Sequence, residues 1–380
     1  MTMAEILAEL GLTIVITFFL ALLMKKIRQP PLVAYLLSGM LLGPFFLNIL
    51  TYRSHYELLA HFGIATLLFI VGLQLNITFI KNVGKIAVIT GVGQIVFTGA
   101  VGFFLVYFFG YALVPSLIIG VALAFSSTII IVKILNEKNA LDTLHGRISL
   151  GFLLVQDVVA VLILLFLSST SADQSNVLVS FLIVTGIVIM SFWIAKNLLS
   201  RVFTYLESEM QVLLALSWCL GLAGLMQYLG FSIEIGSLLA GVSLASSGFS
   251  VKISEKLAPF RDFFLVIFFV FLGAEMFPAG EENLSFGDRM EYLGTSFSGI
   301  MIPIIVFSLF VLIGNPLIVF VLLTRLGYTA KTSFLSGLAV SQISEFSVII
   351  TLLSREMGYL TQDVVSLITF VAVFTIIGST

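Results

Sequence analysis

Two carboxylates stand where a very apolar sequence has least room for them. Asp157 follows Leu153-Leu154-Val155-Gln156 and precedes Val158-Val159, about ten residues from either end of a hydrophobic run. Glu345 lies in Ser341-Gln342-Ile343-Ser344-Glu345-Phe346-Ser347, a cluster of polar side chains that interrupts another such run. An ionisable group at the centre of a bilayer costs about 2.5–3.5 kcal/mol even on the mild insertion scales, so it faces protein or a water-filled path and marks an ion or proton site. A lone carboxyl can hold a proton or an alkali cation, but not both together. Phe125-Ser126-Ser127-Thr128 is a second polar break, set inside an otherwise apolar stretch. Unwound backbone and hydroxyls at such breaks can stand in for an ion's hydration shell. Helix-bonded hydroxyls and carboxyls that merely glue helices together are the plainer alternative for each of these residues.

The elements that must position these groups follow from composition. Of 380 residues, 59% are hydrophobic and only 10% charged, against about 25% charged in an ordinary soluble domain. That balance excludes a soluble enzyme, a disordered chain and a nucleic-acid binder, and leaves an all-α polytopic membrane protein in a lipid bilayer. With about 20 apolar residues per crossing, thirteen spans are expected: 5–24, 31–50, 58–79, 85–110, 114–135, 146–168, 176–198, 209–229, 232–248, 259–277, 298–325, 331–353 and 360–378. Asp157 falls in the sixth, the Ser-Ser-Thr break in the fifth and Glu345 in the twelfth. Glu234 and Glu275 fall near outer span ends and read as solvated, with an entrance or interface role as the alternative. His55, His61 and His145 are scattered, and the single Cys219 has no disulfide partner.

Loop cations orient the bundle. With the N-terminus outside, every Lys and Arg except Arg53, Arg289 and Arg355 falls on the cytoplasmic side, as the positive-inside rule requires. Acidic residues precede the first apolar run and cations follow it, the reverse of a cleaved signal. The two broken spans sit at corresponding places in two halves, which points to inverted six-helix repeats, 5–168 and 209–378, joined by a connector helix at 176–198. One membrane domain, 1–380, is expected. The last span ends at Gly378-Ser379-Thr380 without a Lys or Arg anchor, so the natural chain is expected to continue into the cytoplasm.

Taken together and in order, several short motifs give the chain its resemblance to a known family. They are Leu68-Phe69-Ile70-Val71-Gly72-Leu73-Gln74-Leu75, Ala122-Leu123-Ala124-Phe125-Ser126-Ser127-Thr128, Gly146-Arg147, Leu154-Val155-Gln156-Asp157, Leu239-Ala240-Gly241-Val242-Ser243-Leu244-Ala245-Ser246-Ser247 and Gln342-Ile343-Ser344-Glu345-Phe346. The chain resembles the monovalent cation:proton antiporters of the second cation–proton antiporter family, near the glutathione-gated potassium efflux (Kef) type. That likeness implies a sodium/proton antiporter-like fold with two discontinuous crossing helices, a homodimer, an elevator-like motion and a bacterial or archaeal inner membrane. It also implies a nucleotide-binding cytoplasmic regulatory domain or subunit beyond the last span. Gln156-Asp157, where electrogenic sodium exchangers place two acids, favours K+ over Na+. Asn315, in Ile313-Gly314-Asn315-Pro316, stands where many relatives carry Lys, so an Asp–Lys pair is not available.

The site expected on these grounds has Asp157 as the shared ligand of H+ and a monovalent cation, with Gln156, Ser126, Ser127 and Thr128 supplementing it. Glu345 with Ser341, Gln342 and Ser344 forms the partner break, and Asn315 stands nearby on the eleventh span. Glu345 either balances a half-helix end or is a second protonatable group. One carboxylate is neutral with either ion aboard, so exchange is expected to be electroneutral. No cofactor is expected within the chain. A passive cation channel or regulated efflux pathway is the alternative, although the glycine-rich potassium filter signature does not occur in the sequence.

Overall fold

The computed structural model describes residues 3–43, 45–50, 53–74, 84–169, 177–229, 231, 233–245, 247–276 and 300–379. Lys81 and Arg289, used above to orient the chain, lie outside them, as do the side chains of Arg53, His55 and Lys133. Helices make up the regular structure of the described residues: α1 Met3–Lys26, α2 Pro31–Leu42, α3 Arg53–Gln74, α4 Lys85–Phe108, α5 Leu113–Ala122, α6 Thr128–Glu137 and α7 Leu144–Ser169. They continue with α8 Val177–Ile194, which a π turn at Ala195–Leu199 carries on to Tyr205, then α9 Ser208–Tyr228, α10 Ile233–Leu244 and α11 Ser250–Ala274. The last are α12 Ile300–Arg325, α13 Ala330–Gly337, α14 Glu345–Glu356 and α15 Gln362–Ser379.

Nine stretches among the described residues are long and apolar enough to cross a membrane, and four shorter apolar helices accompany them. The shorter helices include α2, α10 and α5, the first half of the fifth span. The fold is thus an all-α polytopic membrane protein of about thirteen helical spans. Hydropathy alone misplaces several boundaries. The second span stays helical only to Leu42. The tenth begins at Ser250, nine residues earlier than expected, and runs through Pro259. A charged amphipathic lead-in has no hydropathy signal, and hydropathy counts an apolar turn such as 45–50 as span.

Two compact units divide the chain. One gathers Met1–Arg53, Val83–Ala160 and Phe269–Thr380; the other gathers Ser54–Asn82 and Val161–Phe268. The first holds Asp157, Glu345 and both polar breaks. Within it α14 is buried along nearly its whole length, from Glu345 to Ser354, and Ala330–Glu356 is far more enclosed than α1. The second unit has its own apolar core, built around Phe69, Phe203, Met226, Leu257 and Cys219. There Glu234 is buried and lies 3.3 Å from His61 Nδ1. The expectation of a solvated Glu234 is corrected: a span-end carboxylate can pack inward when a neighbouring helix offers it an imidazole.

Close packing in the first unit depends on several glycines, two of which set how α4 meets its neighbours. A Cβ on Gly120 would lie 2.5 Å from the Phe103 nitrogen, so α4 and α5 touch backbone to backbone. A Cβ on Gly91 would sit 2.9 Å from Val155 Cβ, which brings α4 against α7 beside Gln156. In α12 a π turn at Phe310–Gly314 directly precedes Asn315. Overpacking costs about 1–3 kcal/mol. Gly120→Ala is therefore expected to lower the unfolding free energy in detergent by that amount. Gly99→Ala, whose Cβ would meet only Val121 Cγ2 at 3.8 Å, should be neutral or slightly stabilising in the same denaturant titration.

Candidate ion and proton site

The fifth span breaks between α5 and α6, over residues 123–127, and the twelfth breaks between α13 and α14. A helix that stops inside the bilayer leaves its last carbonyls and first amides without partners, and hydrocarbon cannot supply them. At the end of α5 each exposed carbonyl is met from a neighbour. Ser347 Oγ donates to the Ala122 oxygen at 2.6 Å, and Asn315 Nδ2 to that of Leu123 at 2.9 Å. Gln94 Nε2 donates to the Ala124 oxygen at 3.0 Å, with Gln156 Nε2 at 3.4 Å. The Ser344 backbone amide donates to the Phe125 oxygen at 3.0 Å, one break bonding directly to the other. The two discontinuous helices therefore cross in contact.

Asp157 projects from α7 to the start of α6, where Thr128 Oγ1 donates to its Oδ2 at 3.0 Å. Thr128 is the first residue of that half-helix, so the carboxyl meets the positive end of a helix dipole. Ser127 Oγ accepts from the Ile130 amide at 3.5 Å. Ser126 is buried, with a hydroxyl that has no hydrogen-bond partner among the described residues, and so has a free oxygen to offer. Gln156 is fully buried; its Oε1 accepts from the Ser126 amide at 3.3 Å, and its Nε2 donates to Gln94 Oε1 at 2.5 Å.

The second break mirrors this plan. Ser344 is the N-cap of α14, its hydroxyl accepting from the Phe346 amide at 3.2 Å. Glu345 opens α14, so it too stands at a half-helix N-terminus. Ser341 Oγ donates to the Leu338 oxygen. Gln342 Oε1 accepts from Ser379 Oγ at 2.8 Å, and the Ile343 amide donates to Thr375 Oγ1 at 3.3 Å, both on α15. A cavity of about 10 Å³, room for about one water, touches Ser127, Ser344 and Glu345. A larger one of about 380 Å³ runs from Lys138 and His145 to Ser341 and Ser379. Among the described residues no three His, Cys, Asp or Glu side chains converge as a metal cluster would.

Every residue expected at the site is thus found at or beside one of the two breaks. Gln94, Ser347, Thr375 and Ser379 were not expected there. Gln94 could have been found, because a lone amide ten residues into an apolar span raises the same question as Asp157. Ser347 had no distinguishing signal, since hydroxyls in helices usually bond to their own turn.

Crossed half-helices that meet beside a half-buried carboxylate are an arrangement that polytopic secondary transporters use. A family model for the transmembrane sodium/hydrogen exchanger matches residues 14–380, and the chain belongs to that family, one of transporters rather than enzymes. It is 29% identical over 366 residues to the iron transporter MagA of Paramagnetospirillum magneticum, covering 94% of this chain and 80% of that protein. It is 29% identical over 341 residues to K(+) efflux antiporter 6 of Arabidopsis thaliana, covering 86% of this chain but only 54% of the plant protein. The chain thus spans little more than half of that relative's length. Among solved structures it is similar to the sodium proton antiporter MjNhaP1 from Methanocaldococcus jannaschii at pH 8, with TM-score 0.64, 19% identity, and coverage of 99% and 95% of the two chains. This likeness is one of fold. The general activity that family membership supports is cation/proton antiport.

The neutral cap on α5 gives a direct expectation. Asn315→Leu leaves the Leu123 carbonyl buried and unbonded, which costs about 1–3 kcal/mol. Thermal unfolding in detergent should show that loss, and Asn315→Gln should restore part of it.

Proposed function

We propose that this chain exchanges a monovalent cation, K+ in preference to Na+, for H+ by alternating access, with Asp157 as the shared site. One observation carries the reading: Asp157 faces Thr128 at the N-terminus of a half-helix, where a carboxylate is stabilised with no basic side chain bonded to it among the described residues. A carboxylate bound to Lys or Arg for good could not load and release ions. One stabilised by a hydroxyl and a helix end can.

Thr128 brings an oxygen to Asp157, and Ser126 and Ser127 precede it in the same break. These hard ligands suit alkali cations, and a proton on Asp157 removes the charge that holds the cation. Competition for one carboxyl then gives exchange without another coupling device. The empty, ionised site is the form that crosses a low-dielectric barrier least readily. Proton-loaded and cation-loaded sites are both neutral, so moving them through 100 mV escapes the cost of about 2.3 kcal/mol per elementary charge. Exchange is therefore electroneutral in this reading. Glu345 serves mainly as the counter-charge of α14, the structural role favoured by its place in the first turn.

The preference for K+ rests on Gln156 in place of a second acid and on the name of the plant relative. The inverted repeats, homodimer, outside N-terminus, cytoplasmic C-terminus and a regulatory domain after residue 380 belong to the same proposal. They rest on the resemblance and on the loop charges.

Proteoliposomes with an imposed pH gradient test the whole. The wild type should drive cation uptake against its gradient, with rates nearly unchanged when a membrane potential is clamped at fixed ion gradients. Asp157→Asn should abolish exchange while expression and thermal stability persist. Thr128→Val should raise the apparent KM for the cation several-fold, and Thr128→Ser should not. Steep voltage dependence would sink electroneutrality, and uptake that only ever runs downhill would favour a channel.

A further inference from the structure

Gln94 has no place in the site as the sequence outlines it, yet it is fully buried at the junction of α4, the fifth-span break and α7. Its hydrogen bonds leave no freedom in how the amides point. The Ala124 carbonyl can only accept, so the group 3.0 Å from it must be the Gln94 nitrogen. That nitrogen also donates to Thr98 Oγ1 at 3.0 Å, which uses both of its protons. The Gln94 oxygen is left facing Gln156 at 2.5 Å, and Gln156 must present its own nitrogen there. The Gln156 oxygen therefore turns to the Ser126 amide at 3.3 Å. One carbonyl at the end of α5 thus sets the direction of two side chains in sequence.

We propose that Gln94 is a positioning residue for ion exchange: it compels position 156 to be a neutral donor, holds the Gln156 oxygen on the backbone of the break, and leaves Asp157 as the sole charged ligand from α7. The proposal deepens the exchanger reading and rests on it. An acid at 156 would set two acceptors against the Gln94 oxygen. Gln94 would then have to turn over and give up the Ala124 carbonyl, which can only accept. The amide at 156, which the K+ preference leans on, is on this view dictated from α4. Gln156 clamps the break and does not ligate the ion.

Gln94→Glu and Gln94→Leu test this in reconstituted vesicles, with cation-driven proton movement followed across pH. In Gln94→Glu the introduced carboxyl, while protonated, keeps one O–H for the Ala124 carbonyl and an oxygen for Gln156. Once ionised, it turns only acceptors toward that carbonyl. Gln94→Glu should therefore approach wild-type behaviour at the acid end. As pH rises and the introduced carboxyl loses its proton, the KM for the cation should climb at least about tenfold, the equivalent of one lost buried hydrogen bond. Gln94→Leu should show the raised KM at every pH, with no recovery in acid. A Gln94→Glu profile that superimposes on the wild type overturns the proposal, as does an unchanged KM in Gln94→Leu. If Gln94→Leu does not fold, the acid recovery of Gln94→Glu decides alone. A wild-type protein without cation-coupled proton movement overturns the exchanger reading itself, and this assignment with it.

Discussion

An interrupted helix inside a bilayer creates a debt of hydrogen bonds that water cannot settle, and the interior of this protein is arranged around that constraint. Four consecutive carbonyls, Ala122 to Phe125, lose their intrahelical partners where α5 stops. They are met by Ser347, Asn315, Gln94 with Gln156, and the Ser344 amide. These donors come from α14, α12, α4, α7 and the other break. Each must arrive within about 3 Å, the ordinary reach of a hydrogen bond, so five parts of the fold are fixed relative to one short segment. The glycine contacts of α4 with α5 and α7 follow from the same demand, because a carboxamide reaches a carbonyl on a neighbouring helix only if the backbones are close.

Charge is handled by the same means. Asp157 faces the first residue of one half-helix and Glu345 opens another, where unpaired amides and the helix dipole favour a negative group. Asn315 fits this pattern: it caps a carbonyl as a lysine could, but brings no charge that would pair with a carboxylate. Among the described residues, then, partial charges of helix ends meet both acids.

Much of the architecture was legible in the sequence. Thirteen spans, the location of both breaks and the prominence of Asp157 follow from one rule, that polar atoms in lipid are costly. Span ends were less legible, because α11 begins in a charged amphipathic turn and α2 stops inside an apolar run. Glu234 was misread for a related reason: its partner His61 lies 173 residues away, and sequence distance conceals such pairs. The donors to the break were the least legible. Ser347 resembles any helical serine until the crossing of two half-helices brings it to Ala122. Gln94 stood out as a lone amide, but its partners could be assigned only from three-dimensional contact.

The π turn at Phe310–Gly314 has a consequence for how this interior tolerates change. A π turn accommodates one residue more than an α turn, and each residue advances an α-helix by about 100°. The face that Asn315 presents to Leu123 is therefore fixed by a local insertion as much as by the asparagine itself. Winding 310–314 as a regular α segment of the same length would swing the amide about a quarter-turn away, with every side chain of the site still in the sequence. In this part of the protein the spacing of the chain is as much a functional element as its chemistry.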